Sequence, residues 1–464
     1  MTHVLVVGAY GSAGVVVAQT LADAGYDLTL IDDGDPGGGL CILRGCMPSK
    51  ELLSAGAHQF QVTDDHRLTG RSPDVDLEAT VATKDEHIHS FAAHRRSTIE
   101  ELTERPNVSF IHDTARFIDD RTVRVDDTEI SADYAVVATG STPNIPDLPG
   151  IDSVPYRTSA DVLDSTSFGA SAIVMGFGFV GIELAAYLAT AAEMDVTVIE
   201  HDDRPLDAFD PEFGEELLDI YREQFDIEIL TNTTEQSVER DGDGVAVTIA
   251  DDDGERDIRA AELFVFTGRR PALSGLGLET TEVDPIGEWV KPTMQARDDD
   301  RTFIIGDANN REPILHVAKE QGAIAAENIQ RIDRGETPLP YENTTHLVVF
   351  AGVGVYPAVR VGHTERSATA AGIDHHTVDR DASDDGVFKT KAVPLGYARL
   401  IVGTDGTVLG YQGLHYHADV MAKTMQVIIE MELDCREIPD RAYHPTTPEL
   451  LDGLLREATA ALSK

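Results

Sequence analysis

Two stretches of this chain share one order of parts: an apolar strand, a glycine-rich turn, a helix and a second strand that ends in an acid. The first, HVLVVGAYGSAGVVVAQTLADAGYDLTLID, ends at Asp32, and the second, SAIVMGFGFVGIELAAYLATAAEMDVTVIE, ends at Glu200. This order is typical of a βαβ unit, whose glycine turn presents backbone N–H groups to a pyrophosphate at the start of a helix. Two such units predict an α/β protein that binds two dinucleotides.

The glycines of both turns follow the dinucleotide-binding fingerprint, with one departure. In the first unit Gly11 and Gly14 hold the later two positions, and Ala9 stands at the first. Asp32 follows Gly14 by 18 residues, where an acid accepts hydrogen bonds from a ribose. The second unit fills all three positions, with Gly176, Gly178 and Gly181.

The charge balance excludes some classes of partner. The 464 residues include 82 acidic and 37 basic ones, a net charge of −45, so a nucleic-acid partner is not expected. The acids are spread along the chain, which is typical of a solvated acidic coat in a salt-rich cytosol, because molar salt screens their repulsion. The start MTHVLVVG lacks the features of a signal peptide and no long apolar run follows, so we expect a cytoplasmic protein without a membrane span.

Two of the three cysteines stand close together in GGGLCILRGCMPSK, at Cys41 and Cys46. Such a pair indicates redox chemistry or metal binding, and zinc would need more ligands than the neighbouring sequence offers. A disulfide requires the chain to coil here, because an extended run would hold the two Cα atoms roughly 17 Å apart. Pro48 suits the first turn of a helix, and Cys46 then lies at the helix N-terminus, where a thiolate is stabilised.

The remaining segments predict a third domain. A helical stretch near 83–104 precedes a strand that ends in Ala138, Thr139 and Gly140, and ELFVFTGRRP and RTFIIGDANN follow the second unit. From about residue 340 short strands alternate with turns, and a helix is predicted over 418–432. The pattern indicates an α+β domain without a dinucleotide signature.

Taken in order, the first fingerprint, CxxxxCxPSK, ATG, the second fingerprint, TGRRP, GD and HPTxxE resemble the flavin-dependent pyridine nucleotide–disulfide oxidoreductases, which include glutathione reductase and dihydrolipoamide dehydrogenase. The resemblance covers essentially the whole chain. It implies two Rossmann-like dinucleotide-binding domains and a C-terminal α+β dimerisation domain. The implied segments are an FAD domain over 1–150, an NAD(P) domain over 151–265, a return segment of the FAD domain over 266–338 and the interface domain over 339–464.

The resemblance places FAD on the first unit. Ala9, Gly11 and Gly14 would face its pyrophosphate and Asp32 its adenosine ribose, while Asp307 would hold the ribitol side of the flavin. The other interpretation of Asp307 is an N-cap of the helix that follows. The resemblance also places further residues at the cofactors, namely Lys50, Thr139, Gly140, Gly268 and Gly306.

The nicotinamide cofactor would lie on the second unit, at Gly176, Gly178 and Gly181. Glu200 favours an unphosphorylated ribose, whereas His201 and Arg204 are cations that could bind a 2′-phosphate. The sequence therefore leaves NADH and NADPH both open. Phe179 matches an aromatic residue that covers the flavin in glutathione reductases, and simple packing explains it equally well.

The resemblance also implies the catalytic roles. Electrons pass from NAD(P)H through FAD to Cys46, which forms the thiolate beside the flavin, and Cys41 exchanges with the substrate disulfide. Lys50, paired with Glu183, would stabilise the reduced flavin. His444, oriented by Glu449, would protonate the departing thiolate. In this family that dyad reaches the cysteines of the other subunit, which implies a homodimer.

The substrate is the least constrained part. GGGLCILRGC carries Arg44 and lacks the threonine usual in dihydrolipoamide dehydrogenases, and FAGVGVYPAVRVG is longer than the corresponding family segment. We therefore expect a small soluble disulfide, with bis-γ-glutamylcystine as the candidate in a salt-adapted cytosol and dihydrolipoamide as the alternative. Arg44 favours an anionic substrate or forms a surface salt bridge. A flavoprotein scaffold without disulfide reduction is a further hypothesis, and the absent C-terminal cysteine pair argues against mercuric reductase.

Overall fold

A computed structural model of the chain describes residues 2–343 and 345–463. Its described residues form two compact units. The first unit comprises residues 2–49, 82–144 and 269–343, and the second comprises 50–81, 145–268 and 345–463. Among the described residues, no helix combines the length and the apolar composition needed to cross a bilayer.

The first third of the chain alternates helices and strands. Its elements are β1 (His3–Val7), α1 (Ser12–Asp23), β2 (Asp27–Ile31), α2 (Leu40–Leu43), α3 (Cys46–Asp64), α4 (Leu77–Thr103), β3 (Val108–Ile111), β4 (Arg116–Asp119), β5 (Thr122–Val125), β6 (Thr128–Ser131), β7 (Tyr134–Val137) and β8 (Ser141–Pro143). Helix α4 begins earlier than the sequence predicts, because the Asp76 carboxylate accepts a hydrogen bond from the backbone N–H of Ala79 at 2.9 Å and caps this end.

The middle of the chain repeats the alternation. Its elements are α5 (Ser159–Asp164), β9 (Ser171–Met175), α6 (Phe179–Thr190), β10 (Asp195–Ile199), α7 (Pro211–Gln224), β11 (Glu228–Leu230), β12 (Thr234–Asp241), β13 (Gly244–Asp251), β14 (Gly254–Ala260), β15 (Glu262–Val265), β16 (Arg269–Pro271), β17 (Thr302–Ile304) and α8 (Leu315–Asp333). Short 3₁₀ helices cover Ile151–Ser153, Leu278–Thr280 and Gly306–Asn309.

The C-terminal part is built on antiparallel strands. Its elements are β18 (Leu347–Val349), β19 (Ala358–Gly362), α9 (Glu365–Ala370), β20 (His375–Asp381), α10 (Gly386–Thr390), β21 (Gly396–Gly403), β22 (Val408–His415), α11 (Ala418–Glu430) and α12 (Glu449–Ala461), with 3₁₀ helices at Gly352–Gly354 and Ala382–Asp384. The predicted helix over 418–432 is therefore present as α11 and ends two residues earlier.

The first unit is organised around a parallel sheet with the strand order β17-β7-β1-β2-β3. Strand β1 pairs with β2 in a register that places His3 opposite Asp27. Residues 4–7 are buried and apolar, as expected for a strand covered on both faces. The unit also holds the antiparallel sheet β4-β5-β6 and the antiparallel pair β16-β8. The glycine turn after β1 lies at the carboxyl edge of the parallel strands, where α/β proteins bind ligands.

The second unit holds a second parallel sheet, with the order β11-β10-β9-β15, and an antiparallel sheet β12-β13-β14. Its C-terminal part is a separate antiparallel sheet, β18-β19-β22-β21-β20. Helices α11 and α12 cover this sheet, since Met421, Met425, Leu450 and Leu454 belong to the same buried cluster as Leu400. The architecture is the predicted α/β class with two dinucleotide-type sheets and an α+β part.

Candidate active site

The first glycine turn brings backbone N–H groups to the start of α1. Gly8 follows β1 with a φ of 97° and donates its N–H to Ile31 at 2.9 Å. A Cβ on Gly14 would lie 2.2 Å from the Gly8 carbonyl oxygen, so only glycine fits at this crossing. Gly11 is the N-cap of α1, and among the described residues no side chain caps it. The N–H groups of this helix end can therefore receive a pyrophosphate.

The second turn repeats these contacts and corrects the alignment of the first. Gly176 has a φ of 92° and donates to Ile199 at 2.9 Å, and a Cβ on Gly181 would lie 2.2 Å from the Gly176 oxygen. Gly8 is thus the counterpart of Gly176, and assigning the first fingerprint position to Ala9 is wrong. Ala9 is an additional residue of the first turn and is fully buried. The signal that sequence reasoning missed is a glycine directly after the last strand residue.

The two strand-end acids also hold the turns. Asp32 accepts hydrogen bonds from the backbone N–H groups of Tyr10 and Gly34, both at 2.8 Å. Burial raises the pKa of Asp32 above its ordinary value. Glu200 accepts from the N–H of Phe177 at 2.7 Å and of Asp202 at 3.1 Å. Each acid therefore organises its turn, and contact with a ribose stays a prediction for both.

Four of the residues predicted near the cofactors, Thr139, Gly140, Gly306 and Asp307, belong to the first unit. The Thr139 hydroxyl is buried and finds no hydrogen-bond partner among the described residues. Asp307 accepts a hydrogen bond from the Ser141 hydroxyl at 2.6 Å, and the Arg269 guanidinium donates to the same hydroxyl at 2.8 Å. Gly140 and Gly306 both have positive φ, at 73° and 64°. Arg269 was missed by the sequence reasoning, although TGRRP marked its position.

The alternative role of Asp307 as a helix N-cap is wrong. Asp307 lies in the 3₁₀ helix Gly306–Asn309, and α8 begins only at Leu315, with Ile314 as its N-cap. Among the described residues, no side chain caps the start of α1 and none pairs with the Thr139 hydroxyl. These free groups, the tightly packed glycines and the Asp307 carboxylate suit the pyrophosphate and polyol parts of FAD.

The cysteine pair lies at the junction of α2 and α3. A Cβ on Gly45 would lie 3.0 Å from the Leu40 oxygen, so glycine allows the chain to coil here. Cys46 is the first residue of α3 and is exposed, whereas Cys41 is half-buried. A hydrogen bond with Cys46, followed by burial, raises the pKa of Cys41 above that of an ordinary thiol. Both cysteines are thus free thiols that interact with each other, and Cys46 lies at the positive end of α3.

The predicted Lys50–Glu183 ion pair is present in the second unit. The Lys50 ammonium lies 2.7 Å from both carboxylate oxygens of Glu183. It also lies 4.5 Å from the centre of the Phe350 ring, a cation–π contact. The backbone N–H of Phe350 donates to Glu183 at 3.2 Å. Phe350 therefore holds both partners of the pair, and it opens the segment whose length departs from the family pattern.

The predicted His444–Glu449 dyad is also present. His444 Nδ1 lies 3.0 and 3.1 Å from the two oxygens of Glu449, the first residue of α12. The N–H of Thr446 donates to the same carboxylate at 3.0 Å. The hydrogen bond from His444 lowers the pKa of Glu449. With Nδ1 on Glu449 and the imidazole 80% exposed, Nε2 is available to exchange a proton.

The residues predicted around the nicotinamide nucleotide have a less expected arrangement. His201 Nε2 lies 2.5 Å from a Glu235 oxygen, and the Arg204 guanidinium lies 2.5 Å from Asp203. Phe179, the first residue of α6, is 45% exposed. Gly268 has a φ of 85° and open space around its Cβ position. Glu235 was missed, because its distance along the chain from His201 gives no signal.

A dithiol at a helix start, in a chain with two glycine turns built for dinucleotides, defines a two-cofactor thiol–disulfide oxidoreductase. The chain belongs to the pyridine nucleotide-disulphide oxidoreductases: the model of that family matches residues 2–322, and the model of the family's dimerisation domain matches residues 352–454. Its cofactors are accordingly FAD and NAD(P)H. Among the described residues, no group of three or more histidine, cysteine or acidic side chains is arranged to hold a metal ion.

Individual relatives cover most of the chain. Mercuric reductase of Streptomyces lividans is 29% identical over 79% of this chain and 77% of the relative. Dihydrolipoyl dehydrogenase of Halobacterium salinarum is 29% identical over 97% of this chain and 94% of the relative. The structure of the HOCl-induced flavoprotein disulfide reductase RclA from Escherichia coli has a TM-score of 0.83 at 21% identity, covering 98% and 99% of the two chains. That likeness shows a shared fold.

Proposed function

We propose that this protein passes electrons from NAD(P)H through FAD and the Cys41–Cys46 pair to a small soluble disulfide, with bis-γ-glutamylcystine as the candidate substrate. The main support for this proposal is the cysteine pair itself. Cys41 in α2 and Cys46 at the start of α3 interact with each other, so the pair can close to a disulfide and open again.

The exchange follows from the residues of the chain. Bound FAD, once reduced by NAD(P)H, would supply the two electrons that open the Cys41–Cys46 disulfide. The N-terminus of α3 stabilises the Cys46 thiolate, and Cys41 attacks one sulfur of the substrate, forming a mixed disulfide and releasing the first thiolate. Cys46 then attacks Cys41, which re-forms the disulfide and releases the second product. In total, one substrate disulfide takes up two electrons and two protons and becomes two thiols.

The proton for the first leaving thiolate comes from His444. The Glu449 carboxylate fixes the imidazole through Nδ1, so the exposed Nε2 can carry and donate the proton. We infer that this dyad serves the cysteines of the partner subunit in a homodimer, which the match to the dimerisation domain supports. Lys50, held by Glu183 and Phe350, would compensate the negative charge of the reduced cofactor.

The choice of substrate rests on three features. The acidic surface, with a net charge of −45, favours a salt-rich cytosol, and a relative comes from Halobacterium salinarum. Arg44, exposed two residues before Cys46, favours an anionic disulfide. The segment that begins at Phe350 is longer than in dihydrolipoamide dehydrogenases. Together these support bis-γ-glutamylcystine, whose carboxylates suit a cationic side chain.

Dihydrolipoyl dehydrogenase activity is the second candidate. It is favoured by the Halobacterium salinarum relative of that name, because the match spans nearly the full length of both chains. Mercuric reduction is supported by the Streptomyces lividans relative, but the three cysteines of this chain are Cys41, Cys46 and Cys435, so the C-terminal segment carries no second cysteine pair.

The test is a substrate panel in molar salt, comparing bis-γ-glutamylcystine, glutathione disulfide, cystine and lipoamide, each with NADH and NADPH. We expect the highest kcat/KM with bis-γ-glutamylcystine. A preference for lipoamide would establish the second candidate instead. Cys46→Ser should abolish disulfide reduction and keep NAD(P)H-dependent dye reduction, while Cys435→Ala, a change at the buried third cysteine, should keep both. If the wild-type protein reduces none of these disulfides, the proposed reductase activity is wrong. The hypothesis of a flavoprotein scaffold would then remain.

A further inference from the structure

The two cations predicted to receive a 2′-phosphate are both already bound to carboxylates. The Arg204 guanidinium pairs with Asp203, and its aliphatic stem packs at Gly214, where an added Cβ would lie 3.2 Å from the Arg204 Cδ. His201 is paired through Nε2 with Glu235. A paired cation gains less from a phosphate, because that phosphate must compete with the carboxylate already in contact.

Glu235 is brought to His201 by two local features of the second unit. A β-bulge interrupts the pairing of β12 with β13 between Glu235 and Ser237, and bulges re-aim side chains. The loop before β12 is fixed by backbone hydrogen bonds from Asn232 to Asp202 and from Thr233 to Glu200, both at 3.0 Å. The Glu235 carboxylate is therefore held beside the strand-end acid of the nucleotide site.

The Glu235 side chain is 5% exposed, and only one of its oxygens contacts His201. The other oxygen is buried and accepts no hydrogen bond from any residue that the structure describes. Its negative charge is consequently shielded little by solvent or by donors. The contact with Glu235 raises the pKa of His201, which agrees with a charged imidazole bound to a carboxylate.

The charges around this ribose position favour a neutral sugar. Residues 200–204 and the bulge position 235 carry the carboxylates Glu200, Asp202, Asp203 and Glu235, and the cations His201 and Arg204. With both cations charged, the acids still exceed them, and a 2′-phosphate would add about two negative charges. We propose that Glu235 makes the nucleotide site selective for the unphosphorylated dinucleotide, NADH, by holding His201 away from a 2′-phosphate.

This inference rests on the proposed function, because it takes the second βαβ unit as the NAD(P)H site. The test measures binding of AMP and of adenosine 2′,5′-bisphosphate to the FAD-loaded dimer by calorimetry, at the lowest salt that keeps the fold. In Glu235→Gln we expect affinity for the bisphosphate to rise about fivefold relative to AMP, the size of an exposed charge contact. Glu239→Gln, an exposed acid on the same strand, removes an equal charge and should leave the ratio unchanged.

The double variant His201→Gln/Glu235→Gln distinguishes two causes of a higher bisphosphate affinity in Glu235→Gln. One is release of the His201 imidazole, and the other is loss of a negative charge alone. We expect it to lose the gain of the single variant, and a retained gain would overturn the proposal. An unchanged ratio in Glu235→Gln would overturn it as well, and Glu235→Met provides the same test if the amide variant does not fold. These measurements need no disulfide turnover, so they fail or succeed independently of the substrate panel.

Discussion

The two glycine turns of this protein reach one geometry with different numbers of residues. In each, a glycine with positive φ follows the strand. A Cβ added to the last glycine of the turn would lie 2.2 Å from the carbonyl oxygen of that first glycine. Gly8 and Gly176 are therefore equivalent, yet the first turn contains Ala9 in addition. What is shared is the crossing of backbone over backbone, and what varies is the length of chain between the strand and the helix.

The extra residue is accommodated without loss of the acid contact. The residue before each N-cap glycine, Tyr10 or Phe177, is aromatic and donates its N–H to the strand-end acid. The Tyr10 ring lies 5.1 Å from the Phe110 ring, whereas the Phe177 ring meets Tyr221 edge-on at 5.2 Å in the core. The acid and the aromatic residue thus fix the end of each turn, and the length before them can change.

The largest expected effect comes from the crossing glycines. Gly14→Ala should lower retention of FAD, and Gly181→Ala should lower affinity for NAD(P)H, each by about 100-fold, because the added methyl collides with backbone that cannot yield. Flavin absorbance after desalting measures the first effect and calorimetry the second. Gly178→Ala is the control for folding, since its Cβ meets open space. Equal loss of both cofactors in either variant would show that the two turns are not independent sites.

The acids should differ in their contribution to stability. Asp32→Ala leaves two backbone N–H groups without their acceptor in a buried place, and we expect a loss of about 2 kcal/mol. Glu200→Ala should cost about 1 kcal/mol, because its surroundings are more exposed. Chemical denaturation followed by circular dichroism measures both. A larger loss at Glu200 would reverse this ranking of the two turns.

The Asp32 carboxyl should also make the free energy of unfolding depend on pH. Its pKa is raised by burial, so the native state binds this proton more tightly than the unfolded state does. The contribution of Asp32 to the free energy of unfolding therefore falls as pH rises from the unfolded pKa to the raised one, and is constant above it. The stability difference between wild type and Asp32→Asn should shift in favour of the variant over this range. If wild type instead gained stability relative to Asp32→Asn as the pH rises, the raised pKa of Asp32 would be contradicted.

Sequence reasoning located the parts whose signals are local. Pro48 and the glycines around Cys41 and Cys46 predict a coiled segment before a helix, and α3 begins at Cys46 as expected. The Lys50–Glu183 pair could be predicted only from the family resemblance, because its two residues lie on separate segments of the sequence. Gly8 was missed because the spacing of the fingerprint puts Ala9, and not Gly8, two residues before Gly11.

Contacts that form only in the tertiary structure could not be predicted from the spacing of residues in the sequence. Glu235 reaches His201 because a β-bulge re-aims it, and Phe350 covers Lys50 because the C-terminal part of the second unit packs there. In each case the residue type is ordinary for its own segment, an acid on a strand or an aromatic at a strand end. Only the fold makes them neighbours of functional groups.

The smallest expected effect concerns the first residue of each helix, which is Ser12 in α1 and Phe179 in α6. Phe179→Ser makes the two turns alike at this position. Because the Phe179 side chain is 45% exposed, we expect a change in unfolding free energy of at most about 0.5 kcal/mol. The KM for NADH should rise about threefold if the ring stacks on a cofactor. A stability loss of about 3 kcal/mol or more with an unchanged KM would establish simple packing, because truncating a core aromatic has a cost of that size.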